Sequence, residues 1–352
     1  MSGSPLDKLS GRRILLPIAI GLIVVAWLVW REFDVRIFDN IHFTWGTILW
    51  LLAACLFMAG RDAGYMFRIR TLSRGELSWR QAFRVIMLWE FTSAVTPSVV
   101  GGTSVATLYI HKEGLGLGRS TAIVLLTSLL DELYFVAMFP LLLLVVGRGA
   151  LFDVATSGNT LTQGIMAFIL AGYFMKLTWV LLLAYGLFVN PSGLKWLLDR
   201  VFRLPLLRRW RNGAGRVGDE IVESSVEIRR SGVMFWLKAS AATFLSWSSR
   251  YMVANALIMA FFSVGNQLLL FARQLSMWIM MLVMPTPGGS GLAELVFTEY
   301  CSDLIALPVE MQAAAAMLIA LLWRMVTYYP YLIVGALLFP RWLGRNFRRR
   351  KR

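Results

Sequence analysis

Apolar residues run along this chain in long stretches separated by short polar ones. Runs at residues 14–30, 44–60, 120–146, 163–189, 232–262 and 310–339 each meet or exceed the length of about 17 to 25 residues that a helix needs to cross a hydrocarbon layer. They predict six spans. Two further apolar segments, 81–113 and 267–303, are interrupted near their middles. The first carries Thr96-Pro97-Ser98-Val99-Val100-Gly101-Gly102-Thr103-Ser104, and the second Met284-Pro285-Thr286-Pro287-Gly288-Gly289-Ser290-Gly291-Leu292-Ala293-Glu294. Proline removes a backbone donor and fixes φ, and glycine adds freedom that a helix disfavours, so neither run continues as one helix. Lipid cannot satisfy free N–H and C=O groups, so such breaks belong where protein or a wet cavity surrounds them. Paired interruptions in two halves of a chain point to an inverted-repeat transport site. The expected fold is therefore all-α: a polytopic membrane helix bundle of about six spanning helices plus two oppositely oriented re-entrant hairpins, with an inverted repeat as an option.

Composition supports this reading: 58% of residues are hydrophobic, only 16% are charged and the mean hydropathy is +0.65, whereas a soluble domain carries roughly 25% charge. A net charge of +15 would suggest nucleic acid for a soluble protein. Here the basic residues flank apolar runs, so the positive-inside rule accounts for them and no nucleic-acid partner is expected. Lys8, Arg12 and Arg13 precede the first run, and Arg341, Arg345, Arg348, Arg349, Arg350, Lys351 and Arg352 follow the last. Both termini are expected in the cytoplasm. Arg61, Arg68, Arg70, Arg74, Arg80 and Arg84 read as one basic cytoplasmic connection into the first hairpin, which then opens to the cytoplasm, and the second hairpin is entered from outside.

The chain reads as one membrane domain over 1–352. It comprises a first half, 1–190, with hairpin 81–113; a basic segment, 191–231; a second half, 232–340, with hairpin 267–303; and a basic tail, 341–352. In the basic segment Trp196, Leu197, Val201 and Phe202 interleave with cations, which fits either an amphipathic helix on the lipid surface or a plain basic loop. The first apolar run is followed by Arg31-Glu32-Phe33-Asp34 and no small-residue cleavage site, so it is expected to stay as a helix. Gly114-Leu115-Gly116-Leu117-Gly118-Arg119-Ser120 lacks the spacing and lysine of a phosphate loop and reads as a turn. Two histidines and two cysteines are too few and scattered for a metal site, and no cofactor is expected.

Glu90, Asp131, Glu132, Lys176, Arg250, Glu294 and Arg324 fall inside apolar segments, where an ionisable side chain costs about 2.5–3.5 kcal/mol and marks a pathway or a pairing. Asp131 and Glu132 follow the first break and Arg324 the second, a symmetry suggesting that opposite signs meet near the middle. For Arg250, Arg324, Asp131 and Glu294, substrate binding and purely structural ion pairing both stand. Glu90 and Lys176 fit local pairing or snorkelling better. Ser240, Thr243, Ser246 and Arg250 recur at helical spacing, as do Arg324, Thr327, Tyr328 and Tyr331. Either stripe can line a cavity or bond helix to helix. Gly288, Gly289, Ser290 and Gly291 open a short helix whose free N–H groups and dipole suit a phosphate or carboxylate. Glu294 either caps that helix, with Gly291 as N-cap, or touches substrate itself. Thr96, Pro97, Gly101 and Gly102 complete the candidate substrate-binding set.

Thr286 to Glu294, Thr96 to Gly102 and Leu129-Leu130-Asp131-Glu132 resemble the lysylphosphatidylglycerol synthase transmembrane-region family, the flippase-like membrane proteins. The resemblance spans nearly the whole chain and rests mainly on Pro-Gly-Gly-x-Gly-x-x-Glu. Members with a fused soluble synthase domain attach an amino acid to phosphatidylglycerol, and their membrane region moves the product between leaflets. This chain reaches Arg352 directly after its last span, so it resembles the translocating region alone. The resemblance implies a lipid translocase in the bacterial cytoplasmic (inner) membrane, acting on an anionic or aminoacylated phospholipid or a polyprenyl-phosphate lipid. Membrane lipids with anionic head groups are the expected partners; a separate lipid-modifying enzyme is an option, and oligomeric state is open. Two alternatives stand beside it: a membrane-embedded lipid-modifying transferase, and a secondary transporter of a small anion. Against the transferase, the sequence has no Asp-rich metal motif, histidine pair or nucleotide loop.

Overall fold

A computed structural model describes residues 43–95, 99–152, 159–193, 211–282 and 291–347, together with Trp196 and Arg200. The expected span at 14–30, most of the segment 194–210 and the end of the tail, 348–352, lie outside these residues. Among the described residues the structure is helical with no strand, apart from one bridge between Val264 and Ile305. In chain order the helices are α1 (Trp45–Leu72), α2 (Trp79–Val95), α3 (Val99–Lys112), α4 (Leu117–Val146), α5 (Arg148–Phe152), α6 (Asn159–Ala184), α7 (Arg211–Arg229), α8 (Val233–Phe261), α9 (Gln267–Met281), α10 (Leu292–Cys301), α11 (Val309–Thr327) and α12 (Tyr329–Phe347).

Four stretches among the described residues are long and apolar enough to cross a membrane: α1, α4, Gly164–Val189 and Val309–Arg345. The last is α11 and α12 end to end. They break at Tyr328, because Pro330 has no N–H to continue the ladder. Helix α8, at 29 residues, has the length to cross, about 44 Å at 1.5 Å per residue. It is not among the four, since Lys238, Arg250 and its serines make it more polar. In the basic segment, α7 packs on α4, where Glu220 accepts the backbone N–H of Gly118 at 2.6 Å.

Helix α1 continues past the span expected to end at residue 60. Arg61 and Arg68, assigned by the sequence to a cytoplasmic connection, are buried within it. The physical reason is register: Ala54, Met58, Arg61, Tyr65, Arg68 and Leu72 recur at alternating steps of four and three, so both arginines share the helix's buried face. The helix stops where Arg74 and Gly75 take φ of 53° and 82° and the Gly75 N–H returns to the Arg70 carbonyl at 2.8 Å.

That face packs on α8. A Cβ on Gly64 would lie 2.3 Å from Ser246 Oγ and 2.9 Å from the Ala242 carbonyl oxygen, so this approach requires glycine. Ser246 Oγ donates to the Arg61 carbonyl at 3.0 Å. Gly60 meets Ser249 and Gly64 meets Ser246, while Phe43 beside the start of α1 meets Phe261 at the end of α8. The two helices are therefore antiparallel, joined through glycines four apart on one and serines three apart on the other, as membrane helices that lack a hydrophobic drive toward each other require.

The interrupted segments form hairpins at opposite ends of this pair. Helices α2 and α3 are antiparallel: Arg84 grips Glu113 with bonds of 2.9 and 2.6 Å at the open end, and Thr92 meets Tyr109 at 2.6 Å further in. At 17 and 14 residues they reach about 26 and 21 Å, short of the roughly 30 Å hydrocarbon core. Helices α9 and α10, at 15 and 10 residues, fall short of it as well. Their open end is closed by Arg273, which bonds Asp303 at 2.5 Å and the Tyr300 carbonyl at 2.9 Å. The first hairpin follows the Leu72 end of α1 and the second follows the Phe261 end of α8. Since α1 and α8 are antiparallel, these ends lie on opposite sides and the hairpins open in opposite directions.

Candidate functional site

Both hairpins reach the end of α11. Arg324, in its last turn, donates from Nε to Glu294 Oε1 at 2.7 Å and from Nη2 to Oε2 at 3.4 Å. Tyr328, at the break, donates to the Ala94 carbonyl at 3.1 Å, in the last turn of α2. One helix end therefore ties the inner part of the first hairpin to the start of α10 in the second. Gly291, at φ 80°, is the N-cap of α10, and Glu294 Oε2 accepts its N–H at 2.7 Å. Glu294 thus caps the helix as the spacing suggests, and also pairs with Arg324. Side-chain exposures of 3% and 6% close this pair off from water.

Three more charge clusters lie along α1 and α4. Arg61 holds Glu90 at 2.6 Å, Asp62 at 2.9 Å and the Tyr331 hydroxyl at 2.7 Å, and that hydroxyl donates on to Asp62 at 2.7 Å. Arg68 grips Asp131 with contacts of 2.5 and 3.2 Å and donates to Thr243 at 3.1 Å, while Trp247 Nε1 donates to the same carboxylate at 2.6 Å. Lys176 pairs with Glu132 at 2.7 Å across the face of Phe135. The expected meeting of Asp131 and Glu132 with Arg324 does not occur. Each finds a nearer partner: α1 brings Arg68 to Asp131, and α6 brings Lys176 to Glu132.

Arg250 differs from all of these. Its Nε is buried with no hydrogen-bond partner, and no carboxylate among the described residues forms an ion pair with it. Its guanidinium lies over Trp278 at 4.4 Å and near Trp247 at 5.7 Å. The ionisable groups whose fields reach it are Arg61, Glu90, Tyr65 and Tyr251. Three neighbours carry further unpartnered buried polar atoms: Trp278 Nε1, the Tyr251 hydroxyl and Arg61 Nε. The unpartnered nitrogens of Arg250, Trp278 and Arg61 are all donors, the kind of group that recognises an anion. Arg250 and Trp278 are both half-buried, so the guanidinium meets part of the several kcal/mol that a fully buried unpaired ion costs, and stacking on the ring offsets up to about 2 kcal/mol of it.

The candidate set is therefore divided. Gly291, Glu294 and Arg324 meet at the start of the second hairpin's inner helix. Asp131 and Glu132 lie on α4 with their own partners, and Arg250 stands on α8 against the aromatic rings. Gly101 and Gly102 lie in the first turn of α3. Thr96, Pro97, Gly288, Gly289 and Ser290 lie outside the described residues. Sequence reasoning missed Arg61, Asp62, Arg68 and Trp278. The four–three spacing along α1 carried the signal for the arginines, whereas nothing in the sequence singled out Trp278 as the ring beneath Arg250. Among the described residues no cluster of three or more His, Cys, Asp or Glu side chains is placed to hold a metal.

The family described as the lysylphosphatidylglycerol synthase TM region matches residues 14–335. Among curated proteins the chain is similar to a UPF0104 membrane protein of Archaeoglobus fulgidus, with 26% identity over 309 residues, covering 84% of this chain and 88% of that one. No solved structure matches it.

Proposed function

We propose that this chain, which belongs to the lysylphosphatidylglycerol synthase TM region family and is an integral membrane protein, moves an anionic lipid between leaflets without altering it chemically. The substrate class is an anionic or aminoacylated phospholipid or a polyprenyl-phosphate lipid, carried across the bacterial inner membrane with both termini of the protein in the cytoplasm. The observation that supports this reading is Arg250. Arg61, Arg68, Lys176 and Arg324 are each held by a carboxylate within the bundle, and among the described residues Arg250 is held by none. A phosphate oxygen would supply the acceptors that the guanidinium, Trp278 and Tyr251 lack, while the aromatic walls accommodate the apolar part of the molecule. The break at Tyr328 and the two opposed hairpins give the bundle places to rearrange around such a cargo.

The test is reconstitution into liposomes containing fluorescent phosphatidylglycerol, with chemical quenching from outside. The intact protein is expected to move the lipid, and Arg250→Met to slow it by about 10- to 100-fold, the loss of a charged hydrogen bond of about 1.5–3 kcal/mol. Equal rates for the two proteins would remove Arg250 from the site. Failure of the intact protein to move any anionic lipid would remove the function.

A further inference from the structure

The charge balance around Arg250 bears on what drives the movement. Among the described residues, Arg68 with Asp131, Lys176 with Glu132 and Arg324 with Glu294 each join one cation to one carboxylate. The Arg61 cluster is not: one guanidinium serves two carboxylates, Asp62 and Glu90. Alone the cluster carries one negative charge; counted with Arg250, it is neutral. Arg250 forms no ion pair with either carboxylate, but it follows Ser249, which meets Gly60 next to Arg61 on the facing helix, so it balances the surplus through space.

An anion arriving at Arg250 takes that balancing charge for itself. Two carboxylates then face one guanidinium in a low-dielectric interior, where net charge is poorly tolerated. Protonation of one carboxylate restores neutrality. The carboxylates are open to this: Asp62 and Glu90 keep side-chain exposures of 23% and 24%, against 3% for Glu294. The other groups around them do not compete. Helix α1 contributes Arg61 and Tyr65, α8 Arg250 and Tyr251, and α12 Tyr331, whose hydroxyl already donates to Asp62. The neighbouring Arg68–Asp131 and Arg324–Glu294 pairs are each neutral, and the α9 contact is the uncharged Trp278.

We infer that each anionic head group seated on Arg250 is accompanied by one proton taken from water onto the Asp62–Glu90 pair, so that the protein is an electroneutral proton–lipid symporter. The inference rests on the reading of Arg250 as the anion site. In the step a carboxylate oxygen gains one proton and no other covalent bond forms or breaks; Arg61 keeps the carboxylate that stays ionised. On the far side the lipid and the proton leave together.

The experiment uses proteoliposomes of the intact chain with fluorescent phosphatidylglycerol, an entrapped pH-sensitive dye, and valinomycin to set the membrane potential. The expected results are one proton per lipid moved, accumulation of about tenfold per unit of imposed pH gradient, and indifference to the potential. Glu90→Gln or Asp62→Asn is expected to abolish the pH dependence, whichever residue takes the proton. Lipid movement by the intact protein with no proton uptake, or with a rate set by the potential, overturns the symport and leaves the translocase standing. Retention of the pH dependence in both variants overturns the assignment to this pair. No lipid movement at all overturns the reading of Arg250 and the symport with it.

Discussion

Replacing Arg250 and Arg324 separately by methionine, which keeps much of the side-chain length and removes the charge, should move stability in opposite directions. An arginine inside a bilayer costs about 2.5–3.5 kcal/mol. For Arg250 the visible compensation is stacking on Trp278 at 4.4 Å with a weaker contribution from Trp247 at 5.7 Å, worth about 2 kcal/mol, and a longer-range attraction to Glu90. Its removal leaves the surplus charge of the Asp62–Glu90 pair to be neutralised by a proton from water, and is therefore expected to leave stability unchanged or to raise it by up to about 1.5 kcal/mol. Arg324 is the reverse case. Its loss strands Glu294, 3% exposed, still holding the Gly291 N–H but without its countercharge, and breaking a buried pair this way costs about 3–5 kcal/mol. At about 2–4 °C per kcal/mol, the Arg324 variant should melt roughly 6–20 °C lower in detergent and the Arg250 variant between 0 and about 6 °C higher. Fluorescence-detected size-exclusion melting measures both. If Arg250→Met destabilised the protein as much as Arg324→Met, Arg250 would be a structural partner and its candidacy as an anion site would end.

Three further outcomes follow from the packing. Gly64→Ala forces a Cβ to within 2.9 Å of the Ala242 carbonyl oxygen. Overpacking of about 1–3 kcal/mol should there outweigh the roughly 1 kcal/mol gained in helix propensity, lowering the melting temperature, while Gly344→Ala in open space should be neutral or stabilising. Trp247→Phe removes one of three donors from Asp131 and should cost about 1–3 kcal/mol, read in the same melting assay, with the Arg68–Asp131 pair intact. Arg61→Met leaves two carboxylates without their guanidinium and should be severe. Adding Glu90→Gln should restore part of the loss, giving a coupling of about 0.5–3 kcal/mol in a double-mutant cycle; strict additivity would show that Glu90 is not held by Arg61.

The all-α bundle and the two interrupted segments were legible because proline and glycine at membrane depth have few structural meanings. The opposition of the hairpins was legible from the distribution of basic residues, and the capping of α10 by Glu294 from a three-residue offset. What escaped was the true length of α1. Arg61 and Arg68 look like loop cations by the charge rule, as Arg70, Arg74, Arg80 and Arg84 near helix ends do, and only their shared register with Ala54, Met58, Tyr65 and Leu72 shows that they face inward. Once those two were misplaced, Asp131, Glu90 and Asp62 lost their partners on paper. Pairing between elements far apart in the chain depends on which helices become neighbours, and local pattern does not encode that.

In a lipid solvent, helices gain little from burying apolar faces against each other, so their register must come from close backbone contacts and from polar groups that cannot be left unmatched. The glycine–serine contact of α1 with α8 supplies the first, and the pairs at Arg68, Lys176 and Arg324 supply the second. Those charges are fully engaged in holding the bundle and retain little interaction energy for a ligand, because a head group would have to displace a carboxylate already within 2.7 Å or less. Arg250 has no such competitor. Its strong interactions are unmade, and the same deficit that makes it costly to the resting fold makes any phosphate reaching it strongly favoured. Burial alone would rank Arg61, Arg68 and Arg324 above Arg250 as site residues; counting the carboxylates already paired with each reverses that order.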